Sequence, residues 1–215
     1  MKLKLDLHVH SHYSKDGFET IQNIILEAKR KGLDGIALTD HNTVDGLLDA
    51  KKEGAKQNII VISGCEIKSK SGDILAYGVT DVIKKGMSVK ETINEIHKQD
   101  GIAVAAHPYP EISHRTKMYQ FLKVGFDAIE TTNARSLLMN KKAEKMAKKL
   151  NISQTGGSDA HSLREIGNAY TEIDANEKTE KSIINAIKLG KTRPRLVKNT
   201  SIYSFIYCTI KRFLK

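Results

Sequence analysis

Cysteine is scarce in this 215-residue chain: there are two, Cys65 and Cys208, far apart in sequence and without zinc-type spacing. A disulfide scaffold is excluded, and the pair is expected to be free thiols in a reducing compartment. Tryptophan is absent and aromatic residues make up 6% of the chain, so no aromatic-rich basic groove for nucleic acid is visible. No apolar stretch is long enough to span a bilayer. The first residues read as a strand rather than a leader, which adds to the expectation of a cytoplasmic protein.

What is present describes an ordinary soluble domain with room for a proper core. Lysine and arginine number 35 against 25 acidic residues, a formal charge of +10. That excess favours phosphate-bearing partners through long-range attraction. It is equally what solvated outer faces of lysine-rich helices would give.

The chain alternates short apolar strands with amphipathic helices. Strands are expected at Leu3–Val9, Gly35–Thr39, Asn58–Ile62, Ile74–Val79, Ile102–Ala106, Asp127–Thr132, Ser153–Thr155 and Ala169–Ile173. Helices are expected at Glu19–Lys31, Val44–Lys56 with Thr43 as N-cap, Ser88–Lys98, Thr116–Lys123, Ser136–Leu150 and Glu177–Leu189. Ile21, Ile24, Ile25 and Ala28 follow one helical face, and Ser88 with Glu91 forms a capping box.

Chemistry-bearing residues gather at the strand ends. His8 and His10 stand two apart in a strand, so both imidazoles point to one face, as a pair of metal ligands must. Asp16 follows in a polar loop. His41, Glu66, His107 and the pair Asp159/His161 each lie just past the end of a different strand. In a barrel those ends converge on one rim, whereas an open sheet would hold them apart. Strand–helix alternation with this convergence predicts a TIM-like α/β barrel. So many His, Asp and Glu side chains exceed what one zinc ion takes, which predicts two or three divalent ions sharing bridging carboxylates. Imidazoles with carboxylates suit zinc, manganese or iron. Such clusters clamp phosphoryl oxygens and generate a hydroxide nucleophile from bound water.

H-x-H after the first strand, T-D-H-N at 39–42, G-x-E at 64–66, A-H-P at 106–108 and G-S-D-A-H at 157–161 resemble the PHP family. Its name comes from polymerase and histidinol phosphatase. The likeness runs from Leu3 to Pro194, and five motifs in the right order make it specific. It implies a distorted seven-stranded (β/α) barrel, a trinuclear metal centre and phosphoester hydrolysis by a metal-bridging hydroxide. By position it implies that His8, His10, Glu66 and Asp159 hold one ion. Glu66 would bridge to a second ion held by His107, and Asp16, His41 and His161 would hold the third. Many relatives carry a histidine on the strand after the glutamate; here Asp73 is the nearest match, a departure that bears on the second site. Arg115 resembles a phosphate-contacting arginine, and a guanidinium fork fits phosphate bidentately. His114 beside it would protonate the leaving oxygen. Asn133 and Arg135 follow a strand end and are candidates to line the pocket. His12, His97 and Asp40 are expected outside the ligand set, Asp40 orienting an imidazole.

The domain is expected to end near residue 195. Ile202, Phe205, Ile206, Ile210 and Phe213 would form one stripe of a basic amphipathic segment over 196–215. That segment fits packing on the barrel or a second subunit better than peripheral contact with an anionic membrane. The leading functional expectation is a phosphomonoesterase on nucleotides or other small phosphorylated metabolites. The resemblance extends to relatives that remove the 3′-phosphate of nucleoside 3′,5′-bisphosphates or trim short RNA from its 5′ end. The alternatives are a 5′–3′ exonuclease or polymerase-associated nuclease, a histidinol-phosphatase, and a non-enzymatic structural metal site.

Overall fold

The computed structural model describes residues 1–111, 116–136, 138–201 and 203–204. His114, Arg115, Cys208 and all five residues of the C-terminal stripe therefore lie outside the described residues. Nine strands form one sheet: β1 (Lys2–Val9), β2 (Gly35–Leu38), β3 (Ile60–Lys68), β4 (Asp73–Tyr77), β5 (Ile102–Ala105), β6 (Ala128–Asn133), β7 (Ser153–Gly157), β8 (Ala169–Asp174) and β9 (Thr192–Leu196). Among the described residues five α-helices connect them: α1 (Ile21–Arg30), α2 (Leu47–Gln57), α3 (Val89–Lys98), α4 (Asn140–Leu150) and α5 (Glu180–Lys188). The order is β7-β6-β5-β4-β3-β2-β1-β8-β9.

The expected count of seven strands is corrected to nine among the described residues. The barrel-like α/β layout holds, but β4 and β8 run against their neighbours. β9 carries Pro194 and almost no apolar residues, and a proline strand belongs at a sheet edge, so no alternation announced it. Thr43 does not cap α2, which begins at Leu47 after Gly46. Its hydroxyl instead accepts from Asp45 N within the preceding turn. α1 is capped by Thr20, and the Ser88–Glu91 capping box opens α3.

Three apolar clusters define the layers. Leu3, Leu5 and Leu7 meet Ile62, Leu75, Tyr77 and Val104 inside the barrel, with Ile183 and Ile187 of α5 packed against them. α1 and α2 cover one outer wall, and α3 and α4 cover another. Simple alternation would put Val9 with the three leucines. It packs instead against α1 with Ile21 and Ile24. The pairing register of β1 with β2 slips between Asp6 and Val9, and this bulge changes the strand's facing. Leu7 can then point into the core while His8 and His10 reach the ligand cluster at the rim.

The sheet is nearly closed across β7 and β1. Val9 bridges Ala160, His10 N–H donates to Ala160 O at 2.9 Å, and Ser158 N–H donates to Asp6 Oδ1 at 2.8 Å. Closure needs glycine at position 157, where an added Cβ would lie 2.4 Å from the His8 Cβ.

Candidate metal centre

Strand direction explains why the acidic and imidazole side chains meet. β1, β2, β3, β5, β6 and β7 share one direction, so their C-terminal ends lie at one rim. Because β4 is antiparallel to β3, its first residue reaches the same rim, with Asp73 opposite Lys68. Each of the nine candidate ligands is thus delivered by the end of a strand or the loop that follows it.

Glu66 sits at the middle. Its Oε2 lies 3.3 Å from His8 Nε2, 3.3 Å from His10 Nε2 and 3.1 Å from His41 Nδ1, while Oε1 lies 3.1 Å from His107 Nε2. Asp159 Oδ1 lies 3.6 Å from His8 Nε2 and 3.4 Å from His10 Nε2. Asp16 Oδ1 lies 3.5 Å from His41 Nε2 and 3.7 Å from His161 Nε2. Donor atoms fall within 4.8 Å of one another in four sets: His8/His10/Glu66, His8/His107/Asp159, Glu66/Asp73/His107 and His10/His41/His161.

Among the described residues, His8 Nε2, His10 Nε2, Asp16 Oδ1 and Glu66 Oε2 are buried without a hydrogen-bond partner. Buried polar atoms are nearly always satisfied, so four orphans pointing into one cluster mark a place built for another group. Lone pairs from imidazole nitrogens and carboxylate oxygens are what zinc, manganese or iron take. The residues fit divalent metal.

Electrostatics follow from packing these groups together. Burial disfavours charge on His8, but Glu130, Asp159 and Glu66 outweigh it and raise its pKa well above the ordinary value. His10 shows the reverse, driven down to about 3 by burial and by His161 and His41 beside it. Burial also opposes charge on His107, yet its contact with Glu66 lifts it to about 9. Glu66 and Asp159 resist burial and sit well below the carboxylate range, held there by the surrounding histidines. Asp73 moves up through burial and the nearby Glu66 charge.

Two candidate ligands stand in strained backbone. His107 has φ +24° and Asp159 φ +55°, a region that costs a non-glycine residue about 1–3 kcal/mol. The supporting hydrogen bonds around them show how that geometry is held. His107 N–H donates to Glu130 Oε2 at 2.8 Å, and His161 N–H donates to Glu165 Oε2 at 2.8 Å.

The chain belongs to the PHP family. The family model described as PHP domain matches residues 6–144, and one described as PHP-associated matches 138–192. The chain is 35% identical over 142 residues to an uncharacterized protein of Methanocaldococcus jannaschii, covering 61% of this chain and 82% of that one. It is 36% identical over 64 residues to a phosphoribosyl 1,2-cyclic phosphate 1,2-diphosphodiesterase of Eggerthella lenta, covering 30% of this chain and 24% of that one. A crystal structure from Bacteroides vulgatus, of a two-domain protein containing a predicted PHP-like metal-dependent phosphoesterase, superposes with TM-score 0.78 at 22% identity. The match covers 91% of this chain and 65% of that longer one. As a member of the PHP family the chain is a hydrolase of phosphoester bonds, and its buried donor set fits divalent metal.

Other residues of this PHP chain support the cluster without joining it. Asp40 accepts from Ser11 N–H and from the Ser11 and Ser14 hydroxyls, and Ser14 Oγ in turn accepts from His41 N–H. Asn133 Nδ2 donates to Glu130 at 3.1 Å and lies 3.4 Å from Asp159 Oδ2. Arg135 is buried and grips both oxygens of Glu165. His97, on α3, pairs with Asp127 at 2.8 Å, and His12 lies on the surface. Glu130, Asp6 and Glu165 escaped the sequence reading. Glu130 left one trace: a lone carboxylate inside an otherwise uncharged strand. Asp6 is the lone carboxylate of β1, which also carries Lys2 and Lys4, and burial pushes its carboxyl up to about 6. For Glu165 the trace was the Ser162–Glu165 capping-box spacing.

Proposed function

We propose that this PHP phosphoesterase is a phosphomonoesterase acting on nucleotides or other small phosphorylated metabolites. The observation that carries the reading is the set of orphaned donor atoms, buried together on a barrel rim. Two or three divalent ions of zinc, manganese or iron bound there would supply an activated water and neutralise charge on the phosphoryl oxygens. His8, His10, Glu66 and Asp159 would hold one ion, and His107 with Glu66 and Asp73 a second. Asp16, His41 and His161 would hold the third.

The chain's own groups then position the substrate. The strand ends fix the donors on rigid elements, so little reorganisation is needed when the phosphate arrives. By resemblance, Arg115 would fork onto the phosphate and His114 would protonate the leaving oxygen. Asn133 would line the pocket beside Asp159. Arg135 would contribute positive charge near Asp159 while its guanidinium stays on Glu165.

A second reading, a nuclease, draws on α4. Lys141, Lys142, Lys145, Lys148 and Lys149 are all exposed on that helix, and a lysine face of this kind tracks a phosphate backbone. Phosphate release decides between the two, measured on adenosine 3′,5′-bisphosphate, AMP, histidinol phosphate and short oligonucleotides with manganese- and zinc-loaded protein. Turnover of a mononucleotide that vanishes in His8→Ala supports the monoesterase. Cleavage of oligonucleotides alone, falling steeply with salt, moves the assignment to a nuclease. Silence on every substrate with metal bound refutes both.

A further inference from the structure

We propose that Glu130 is a positioning residue that sets which ring nitrogen of His8 carries the proton and so makes His8 a metal ligand. The inference rests on the metal-dependent reading above. Glu130 is 1% exposed, on β6, beside β5, whose following loop carries His107, and separated from β1 by β7 at the closure. Its carboxylate is fully engaged. Oε1 lies 2.9 Å from His8 Nδ1, while Oε2 accepts from His107 N–H at 2.8 Å and Asn133 Nδ2 at 3.1 Å. It belongs to none of the four donor sets.

The hydrogen-bond inventory puts a proton on Nδ1. Glu130 already accepts two N–H donors on Oε2, and a carboxylate in that accepting role takes the third contact from His8 Nδ1 as the donating nitrogen. A histidine that ligates a metal is neutral, so with Nδ1 protonated the lone pair offered to the ion lies on Nε2. That atom faces Glu66 Oε2 at 3.3 Å and Asp159 Oδ1 at 3.6 Å with no hydrogen-bond partner among the described residues. One side chain thereby ties together β1, β5 and β6, the strands that deliver His8, His107 and Asn133.

Glu130→Gln tests this because it keeps the shape and changes the inventory. Three donors surround two acceptor oxygens, and glutamine offers only one. Turning its NH2 toward His107 N–H and Asn133 would set donor against donor. The amide must instead point its NH2 at His8 Nδ1, which drives the ring proton onto Nε2 and blocks ligation there. Loss of such a partner weakens metal binding by roughly 10–100-fold.

The experiment combines chelator competition for zinc with nitrogen-15 NMR of the histidine rings in the zinc-loaded full chain. The expected result is a wild-type His8 protonated at Nδ1 and zinc binding about 10–100-fold weaker in E130Q, whose metal-free form still unfolds cooperatively. Wild-type His8 protonated at Nε2, or E130Q binding zinc as tightly as wild type, overturns the inference. If E130Q does not fold, the wild-type spectrum decides alone. A wild type that binds zinc through His8 with Nδ1 protonated but releases no phosphate from any ester supports the role of Glu130 while refuting the proposed activity. A wild type that binds no zinc removes both.

Discussion

Arg135 and Glu165 make the most quantitative demand on the structure. Glu165 is 1% exposed and takes Arg135 Nη2 on both oxygens, at 2.9 and 3.1 Å. The same carboxylate accepts from His161 N–H, Ser162 N–H and the Ser162 hydroxyl. Arg135→Ala leaves that anion buried without its cation, and removing one partner of a buried pair costs about 3–5 kcal/mol. The remaining backbone donors still solvate Glu165, which places the expected loss near the low end, about 3 kcal/mol. A domain of this size loses about 2–4 °C per kcal/mol, so the midpoint should fall by about 6–12 °C. Thermal and urea unfolding in excess chelator measures this without interference from metal binding. The double variant R135A/E165Q should be more stable than R135A, since glutamine keeps an oxygen for the backbone donors and carries no stranded charge. A single-variant loss below about 1 kcal/mol would refute the argument, as would a double variant less stable than R135A.

Four further outcomes follow from the same geometry. His10→Ala should lower phosphate release by at least about 100-fold, the scale expected when transition-state charge stabilisation is removed, measured by steady-state turnover with manganese. Because the folded pKa of His10 is depressed to about 3 from 6.5, its contribution to metal-free stability is present above pH 6.5 and lost as pH falls toward 3. His10→Gln should flatten that part of a urea-melt pH profile, and an unchanged slope would count against the burial argument. Gly157→Ala should destabilise by at least about 2 kcal/mol through overpacking against His8, read from urea midpoints. Chelation should lower the melting temperature in wild type, each ion at a thousandfold excess over Kd having contributed about 4 kcal/mol. A metal-independent midpoint would show that the cluster binds nothing tightly.

Much of the centre was legible in the sequence because ligand residues cluster at strand ends, and strand ends can be found from local apolar runs. His8, His10, His41, Glu66, His107, Asp159 and His161 were all located at the rim by that rule, Asp16 by its place in the polar loop after the first strand, and Asp73 by the resemblance. The capping box at Ser88 and the buried face of α1 were equally local, set by spacing within one turn or two. What tertiary structure decided depends on partners distant in sequence. The slip in β1 pairing turned Val9 away from Leu7, the reversal of β4 carried Asp73 to the rim, and β9 formed without an apolar pattern of its own. Glu130 and Arg135 became supports because β6 lies between β5 and β7, within reach of His8 on β1 and of Glu165 beyond β7, and Gly157 mattered because β7 closes on His8. Sequence periodicity reports which face a residue presents; only the closed barrel decides which distant donor completes a carboxylate's hydrogen bonds.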